Sequence, residues 1–224
     1  MNYTFQFGEV MAELPYLLGG ALVTLQIVFF TFFLGAALGL MGALGKVYGP
    51  TPLRKVISAY VIFITNTPAL VQIFVLYYAL PDAGILLSSM AAVLIGLTLN
   101  STAYLTEIIR AGVVSVRQAE MDAAIGLNMT RLQILRYVML PHIAKTIFAP
   151  LSNFFIWLML GSSIAALFGV EELTGRAINV SSVNLRTIET FSVVAVIYIG
   201  LTLIASMSLA LLGRFAFRVK ARVF

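Results

Sequence analysis

The sequence predicts an all-α integral membrane protein that crosses the bilayer five times. Hydrophobic residues make up 61% of the 224 positions and charged residues only 10%, which is more apolar surface than the core of a soluble domain of this length can bury. About 20 helical residues cross the hydrocarbon layer of a bilayer. Five apolar runs reach that length: residues 16–44, 56–80, 85–109, 146–168 and 190–213.

The distribution of basic residues predicts the orientation of these runs. Twelve of the fourteen Lys and Arg residues follow the first, third or fifth run, and only Arg176 and Arg186 follow the fourth. The positive-inside rule therefore places the N-terminus outside and the C-terminus in the cytoplasm. The first fifteen residues contain no Lys or Arg, so we expect the first run to be a retained span rather than a signal peptide.

The long polar segment at residues 116–141 predicts two short helices on the cytoplasmic side. Asn128 is expected to end the first, because Asn tolerates the left-handed conformation common at helix C-termini. Thr130 and Gln133 have the spacing of a capping box that begins the second helix, and Pro141 is expected to end it. The first helix has small or apolar residues along one face, which another protein can approach closely: Ala119, Ala123, Ala124 and Leu127.

Several of these residues resemble a known family. Asp122-Ala123-Ala124, Asn128 and Met139-Leu140-Pro141 are similar to the cytoplasmic EAA loop of binding-protein-dependent ABC import permeases. Three further stretches, residues 66–72, 99–112 and 169–174, are similar in order and spacing to the polar-amino-acid uptake permeases. The resemblance covers nearly the whole chain. It implies that an ATPase docks on a set of loop residues: Asp122, Ala123, Ala124, Asn128, Leu140 and Pro141.

The sequence also departs from this family pattern. Asp122 stands where the loop usually has Glu, and Asn128 stands where it usually has Gly. Thr65 occupies a position where a basic residue commonly precedes the Thr-Pro pair, and Leu160-Gly161 occupies the place of a frequent Lys-Asp pair. The departures at Thr65 and Leu160-Gly161 favour a non-identical second permease as the partner. An identical partner stays open, with the two departures then reflecting the substrate class.

The resemblance implies a single permease domain over residues 1–224, in the bacterial inner membrane. Such a subunit translocates a polar or charged amino acid, or a close derivative, delivered by a periplasmic amino-acid-binding protein. ATP and Mg are expected on a cytoplasmic ATPase dimer and no cofactor on this chain, because the phosphate-binding sequence G-x-x-x-x-G-K-[ST] is missing. Alternatives are import of another small amino-acid-like solute, a five-helix ion channel or scaffold, and an intramembrane enzyme.

Two interpretations are open for Thr67 and Pro68, which lie near the middle of the second run. One is a proline kink whose freed backbone groups bond to Thr65 or Thr67. The other is a helix that begins within the membrane, with Thr67 as its N-cap and Pro68 in its first turn, where N–H groups attract a carboxylate. The second interpretation makes Asn66, Thr67 and Gln72 substrate-binding residues.

Polar residues in the third run share one helix face. Asn100, Tyr104 and Glu107 recur at spacings of four and three, so this face must look toward protein or water. Pore lining and interhelical hydrogen bonding both stay open for Asn100 and Tyr104, whereas Glu107 is expected to pair with Arg110. If the pore reading holds, Asn100, Tyr104 and Ser162 face the amine or polar side chain of the substrate.

Small residues elsewhere in the runs predict helix packing rather than chemistry. Gly35 and Gly39 have the GxxxG spacing that allows two helix backbones to approach closely. Asn153, Trp157 and Gly161 form a stripe in the fourth run, for which packing is also the favoured interpretation.

The external segment, residues 169–189, is long enough to fold locally. Glu171, Glu172 and Arg176 have helical spacing within it. A soluble binding protein can meet the chain at this segment.

The sequence predicts neither a catalytic nor a metal site. It contains no cysteine, and its single histidine, His142, has no carboxylate cluster beside it in sequence. No residue pattern resembles a nucleophile with its base. The net charge of +5 follows from membrane orientation, so we expect no nucleic-acid partner.

Overall fold

The computed structural model describes residues 4–217, and every regular element in that range is a helix. The all-α prediction is therefore confirmed for the described residues. The α-helices, in chain order, are α1 (Phe7–Ala12), α2 (Leu14–Tyr48), α3 (Thr51–Thr65), α4 (Ala69–Phe74), α5 (Ser89–Val114), α6 (Gln118–Gly126), α7 (Arg131–Ile134), α8 (Leu140–Gly161), α9 (Leu173–Asn184) and α10 (Thr187–Phe217). The π-helical segments are Val75–Ala79 and Leu135–Met139, and the 3₁₀ segments are Leu80–Ala83 and Ser162–Phe168.

Four stretches of the described chain are long and apolar enough to cross a membrane. They are Leu14–Tyr48, Ser89–Val114, Arg131–Phe168 and Thr187–Phe215. The broken pair Thr51–Thr65 and Ala69–Ala83 passes the same test together and makes a fifth span if it crosses as one. The predicted membrane architecture is thus present.

Orientation in the membrane stays a prediction. Three of the basic residues on which it rests, Arg218, Lys220 and Arg222, lie outside the described residues.

The prediction that Pro141 ends a short helix is wrong. Arg131 through Phe168 form one continuous helical stretch in which Pro141 is an interior residue. In an α-helix, the proline ring would clash with the carbonyl of Tyr137 and leave it without a donor. Tyr137 lies in the π-helical segment Leu135–Met139, where the Leu140 N–H donates to the Leu135 carbonyl, five residues back. This wider turn accommodates the proline without ending the helix.

The chain divides into two compact units. The first comprises the described parts of residues 1–32, 69–98 and 156–205, and the second comprises the described parts of residues 33–68, 99–155 and 206–224. The prediction of a single permease domain over residues 1–224 stays a prediction.

Close contact between α2 and α5 organises the second unit. A Cβ atom added at Gly35 would lie 2.7 Å from the Ser101 Cβ, and one added at Gly39 would lie 3.0 Å from the Leu105 Cβ. At Gly42 the nearest atom is the Thr106 hydroxyl oxygen, 2.5 Å from such a Cβ. Only glycine fits these three crossing points without a shift of the neighbouring helix. The packing predicted from the GxxxG spacing is confirmed.

A buried carboxylate joins three elements of the first unit. Glu172 is fully buried and caps the N-terminus of α9, where its carboxylate accepts the Gly175 N–H at 2.9 Å. The Tyr198 hydroxyl on α10 donates to it at 3.0 Å, and the Thr24 hydroxyl on α2 at 3.1 Å. Burial raises the pKa of Glu172 above its ordinary value of 4.5, although these hydrogen bonds act in the opposite direction.

We predict that protonation of Glu172 stabilises the fold. A carboxyl group whose folded-state pKa is raised contributes stability below its unfolded pKa and loses that contribution as the pH rises through the folded value. The wild-type melting temperature in detergent should therefore fall as the pH is raised above 4.5, the ordinary value. Glu172→Gln should flatten this dependence, whereas Glu171→Gln, at the exposed neighbour, should not. An unchanged slope in Glu172→Gln would contradict the assignment.

Candidate functional site

The polar segment between α5 and α8 begins with α6, which ends in a bonded turn. Asn128 has a φ of 57°, in the left-handed region, as predicted. Its N–H donates to the Ile125 carbonyl at 2.9 Å, and the Met129 N–H donates to the Ala124 carbonyl at 3.1 Å. This pair of bonds is the Schellman arrangement, which satisfies the last carbonyls of a helix.

The next helix begins with the predicted capping box. The Thr130 N–H donates to the Gln133 side-chain oxygen at 2.7 Å, and the Gln133 N–H donates to the Thr130 hydroxyl oxygen at 3.3 Å. The turn between α6 and α7 is therefore closed by hydrogen bonds on both sides, so α6 has a defined position relative to α7.

The small-residue face of α6 is only partly available to another protein. Ala124 is 3% exposed, and α6 packs against the segment Leu135–Met139 of its own chain. Ala123 is exposed, and Leu127 is 77% exposed. Ala123 rather than Ala124 can therefore meet another protein directly. The remaining predicted docking residues are also exposed: Asp122, Asn128, Leu140 and Pro141.

The second run is interrupted at Asn66, Thr67 and Pro68. Helix α3 ends at Thr65, and α4 begins at Ala69, immediately after the proline. The Asn66 amide donates to the Ile62 carbonyl at 2.8 Å, and the Thr67 hydroxyl donates to the Phe63 carbonyl at 3.0 Å.

Each open interpretation of this region is correct in part. The Asn66 and Thr67 side chains bond to the last turn of α3, as the kink interpretation predicts for threonine. A new helix begins in this region, as the other interpretation predicts, but it begins at Ala69, so Pro68 precedes it and does not lie in its first turn. Substrate binding at this break stays a prediction. Asn66 is exposed and Thr67 is half-buried.

The polar face of α5 packs within the second unit. Asn100 is buried, and the ring of half-buried Tyr104 stacks on Phe154 of α8, with centroids 5.8 Å apart and an interplanar angle of 29°. The Tyr60 hydroxyl, which sequence reasoning did not single out, donates to the Leu99 carbonyl at 2.6 Å. The contacts of Tyr104 therefore favour interhelical packing for at least part of this face.

Glu107 on α5 forms ion pairs with one residue of its own helix and one residue of α2. The Arg110 guanidinium lies 2.8 Å from its carboxylate, which confirms the predicted ion pair. Lys46 on α2 pairs with the other carboxylate oxygen and was missed. The glycine spacing could have predicted the Lys46–Glu107 pair, because Lys46 lies one helical turn beyond Gly42 on the helix that packs against α5.

Two predicted substrate residues belong to the first unit. Ser162 is fully buried, and its hydroxyl donates to the Met159 carbonyl at 2.8 Å. Gln72 is half-buried in α4. The other predicted substrate residues, Asn66, Thr67, Asn100 and Tyr104, lie in the second unit.

Asn153 and Trp157 lie on an exposed stripe of α8. Both residues are exposed, whereas the adjacent stripe of Phe154 and Leu158 is buried. The packing interpretation of the stripe of Asn153, Trp157 and Gly161 stays a prediction.

The external segment folds locally, as expected, but two of its charged residues turn inward. Arg176 donates to the Tyr16 carbonyl at 2.8 Å, and its guanidinium lies 4.5 Å from the centre of the Tyr16 ring. Glu172 is buried in its cap position. Glu171 is exposed and available to a soluble protein.

No cluster of three or more metal-ligating side chains occurs within residues 4–217.

Comparison with known proteins identifies the family. Residues 33–218 match the family described as "Binding-protein-dependent transport system inner membrane component". The glutamine transport system permease protein GlnP of Escherichia coli (strain K12) is 31% identical over 212 residues, which cover 94% of this chain and 97% of GlnP. The probable amino-acid ABC transporter permease protein YckA of Bacillus subtilis (strain 168) is 32% identical over 206 residues, with coverage of 92% and 91%.

The fold agrees with a solved relative. A chain in the crystal structure of an amino acid ABC transporter with histidines has a TM-score of 0.88 to this chain at 34% identity, covering 95% of this chain and 99% of that one. The family match spans residues 33–218 and so includes the polar segment with α6 and its bonded turn. This chain therefore belongs to the family of inner-membrane components of binding-protein-dependent transport systems.

Proposed function

We propose that this chain is the permease subunit of an ATP-driven importer of a polar or charged amino acid, or a close derivative, in the bacterial inner membrane. A periplasmic amino-acid-binding protein delivers the substrate. The names of the relatives support the substrate class, since one is a glutamine permease and a solved relative was crystallised as an amino acid transporter with histidines. The single observation that carries the proposal is the exposed face of α6, held by the bonded turn, in a chain of this family.

ATP hydrolysis takes place on a separate ATPase dimer. The sequence contains no phosphate-binding loop, so ATP and Mg belong to the partner. The ATPase docks on α6 and the turn that follows it, where exposed small and apolar side chains permit close approach. This surface consists of five exposed residues: Asp122, Ala123, Asn128, Leu140 and Pro141. Ala124 is buried and lies beneath the surface.

A second permease completes the pathway. Asn66 and Asn153 are exposed amides on membrane-spanning elements of this chain, and lipid offers such groups no hydrogen-bonding partner. They therefore face protein or water in the assembled complex. The sequence departures at Thr65 and Leu160-Gly161 support a non-identical permease, and an identical copy is the alternative.

Substrate recognition in the second unit rests on neutral groups. The predicted set there is Asn66, Thr67, Asn100 and Tyr104, of which exposed Asn66 is the most accessible. Asn66 can bind a carboxylate or an ammonium group through its amide, and its position is fixed by the bond to the Ile62 carbonyl. Gln72 and Ser162 remain predicted contributors from the first unit.

Reconstitution tests the proposed function. Liposomes that contain this chain, its ATPase and a second permease should accumulate a polar or charged amino acid when ATP and the loaded binding protein are supplied. Separate assays with glutamine, histidine and an apolar amino acid define the substrate class. Ion conductance without ATP, or an ATPase that the loaded binding protein does not stimulate, would contradict the proposal.

We predict that a large side chain at position 123 weakens binding of the ATPase. Ala123→Arg places a long charged side chain on the exposed face of α6 without disturbing the buried packing of Ala124. ATPase affinity should fall by about tenfold or more, which corresponds to about 1.4 kcal/mol, and uptake should fall with it. Ala83→Arg, at an exposed alanine in the segment Leu80–Ala83, is the control and should bind the ATPase normally. Normal affinity in Ala123→Arg would exclude this docking surface.

We predict that Asn66 contributes to substrate recognition. Asn66→Leu should lower uptake roughly threefold to thirtyfold, the effect of losing a membrane hydrogen bond of about 0.6–2 kcal/mol. The ATPase activity without substrate should stay unchanged. Thr65→Val is the matched control, because it removes a comparable bond to the Val61 carbonyl at the end of α3. Equal uptake kinetics in both variants would leave Asn66 with only a structural role.

A further inference from the structure

His142 contacts both segments that lead into the docking helix. It lies in the first turn of α8, and its Nε2 is 3.2 Å from the hydroxyl oxygen of Ser115, one residue past the end of α5. Its Nδ1 is 3.3 Å from a carboxylate oxygen of Glu120, in the first turn of α6. One imidazole ring therefore links α8 to the end of α5 and to the start of α6.

The hydrogen-bond directions around this ring are determined by its neighbours. The Ser115 hydroxyl donates its single hydrogen to the Gly112 carbonyl at 2.8 Å, so it acts as an acceptor toward His142. The Glu120 carboxylate oxygen beside Nδ1 is the second acceptor near the ring. A ring N–H at either nitrogen can therefore donate to a neighbour on a different segment.

This link lies at the N-terminal end of α6, where no side-chain capping bond forms. The Asn128 turn and the capping box hold the C-terminal end of α6, but its N-cap residue, Arg117, makes no side-chain capping bond. Glu120 supplies the connection at that end by reaching His142. Because α8 continues as a helix from Leu140 to Gly161, His142 connects the start of α6 to a helix long enough to cross a membrane.

We propose that His142 is a positioning residue that couples the docking helix to the span α8, so that movement of the ATPase at α6 is transmitted to the membrane pathway. This inference rests on the proposed function, in which α6 is the ATPase-docking element. It assigns to His142 neither contact with the substrate nor contact with the nucleotide.

The contact between His142 and Glu120 contributes little to folding, so its role in coupling α6 to α8 can be tested with variants that still fold. The Glu120 side chain is 39% exposed and the His142 side chain 26% exposed. Ion pairs this close to solvent add little to protein stability. Removal of the pair should leave the chain folded and inserted, while the connection between α6 and α8 is weakened.

Transport per ATP is the first measurement. His142→Leu and Glu120→Gln should each lower the substrate accumulated per ATP hydrolysed by about fivefold, the lower end of typical coupling between sites. ATPase affinity and the KM for ATP should stay unchanged. The exchanged double variant, Glu120→His with His142→Glu, should recover much of the loss because it restores a pair of opposite charges. Thr146→Val is the matched control, since the Thr146 hydroxyl donates to the His142 carbonyl within α8 itself.

The distance between α6 and α8 is the second measurement, and it does not depend on transport. The sequence has no cysteine, so spin labels can be attached at Ile125→Cys and Lys145→Cys, both at exposed positions. In nanodiscs, the label-to-label distance distribution should be broader with His142→Leu or Glu120→Gln than with Thr146→Val.

The outcomes separate this inference from the proposed function. If the wild-type chain shows neither ATPase binding nor ATP-driven uptake, the proposed function fails. Suppose that the wild-type chain couples ATP hydrolysis to uptake, but that His142→Leu and Glu120→Gln change neither the substrate accumulated per ATP hydrolysed nor the label-to-label distance distribution. Only the inference about His142 is then overturned. A reduced ratio that the exchanged double variant does not recover, with an unchanged distance distribution, also overturns it.

Discussion

The rest of the structure depends on one constraint, which is that a chain in hydrocarbon must satisfy its backbone hydrogen bonds from within. At three points within residues 4–217, a nearby side chain or a change of turn supplies these bonds. Asn66 and Thr67 donate to the last carbonyls of α3, and Glu172 accepts an N–H group at the start of α9. Before Pro141, the π-helical turn takes the place of the bonding that proline prevents.

The same repairs give the functional segments defined positions. At the turn after α6, the Asn128 bonds and the capping box leave little freedom between the docking helix and the span that follows. At the break after α3, an exposed amide is held against its own helix, which orients it toward whatever lies beside the chain. Under the proposed function, α6 transmits movement from an ATPase to the membrane spans, and a loose connection would weaken that transmission.

Local patterns predicted the elements of the fold well, and long-range contacts account for what they missed. The Thr130–Gln133 box, the left-handed Asn128 and the Glu107–Arg110 pair involve residues within a few positions of one another, so spacing alone was enough. The burial of Ala124 and the Lys46–Glu107 pair depend on which helices pack together, which one sequence does not reveal. The continuation through Pro141 was missed because a π-helical turn has no strong sequence signal.

The central claim is that α6 is the surface on which the ATPase docks. The most direct test is site-specific photo-crosslinking in membranes that contain the assembled transporter, with a single cysteine introduced at Ala123 and labelled with a short photo-reactive group. The natural chain has no cysteine, so the label reports this one position. The account predicts a crosslink to the cytoplasmic ATPase from Ala123→Cys and none from Ala83→Cys. The absence of an ATPase crosslink at Ala123, in complexes that hydrolyse ATP in response to the loaded binding protein, would contradict it.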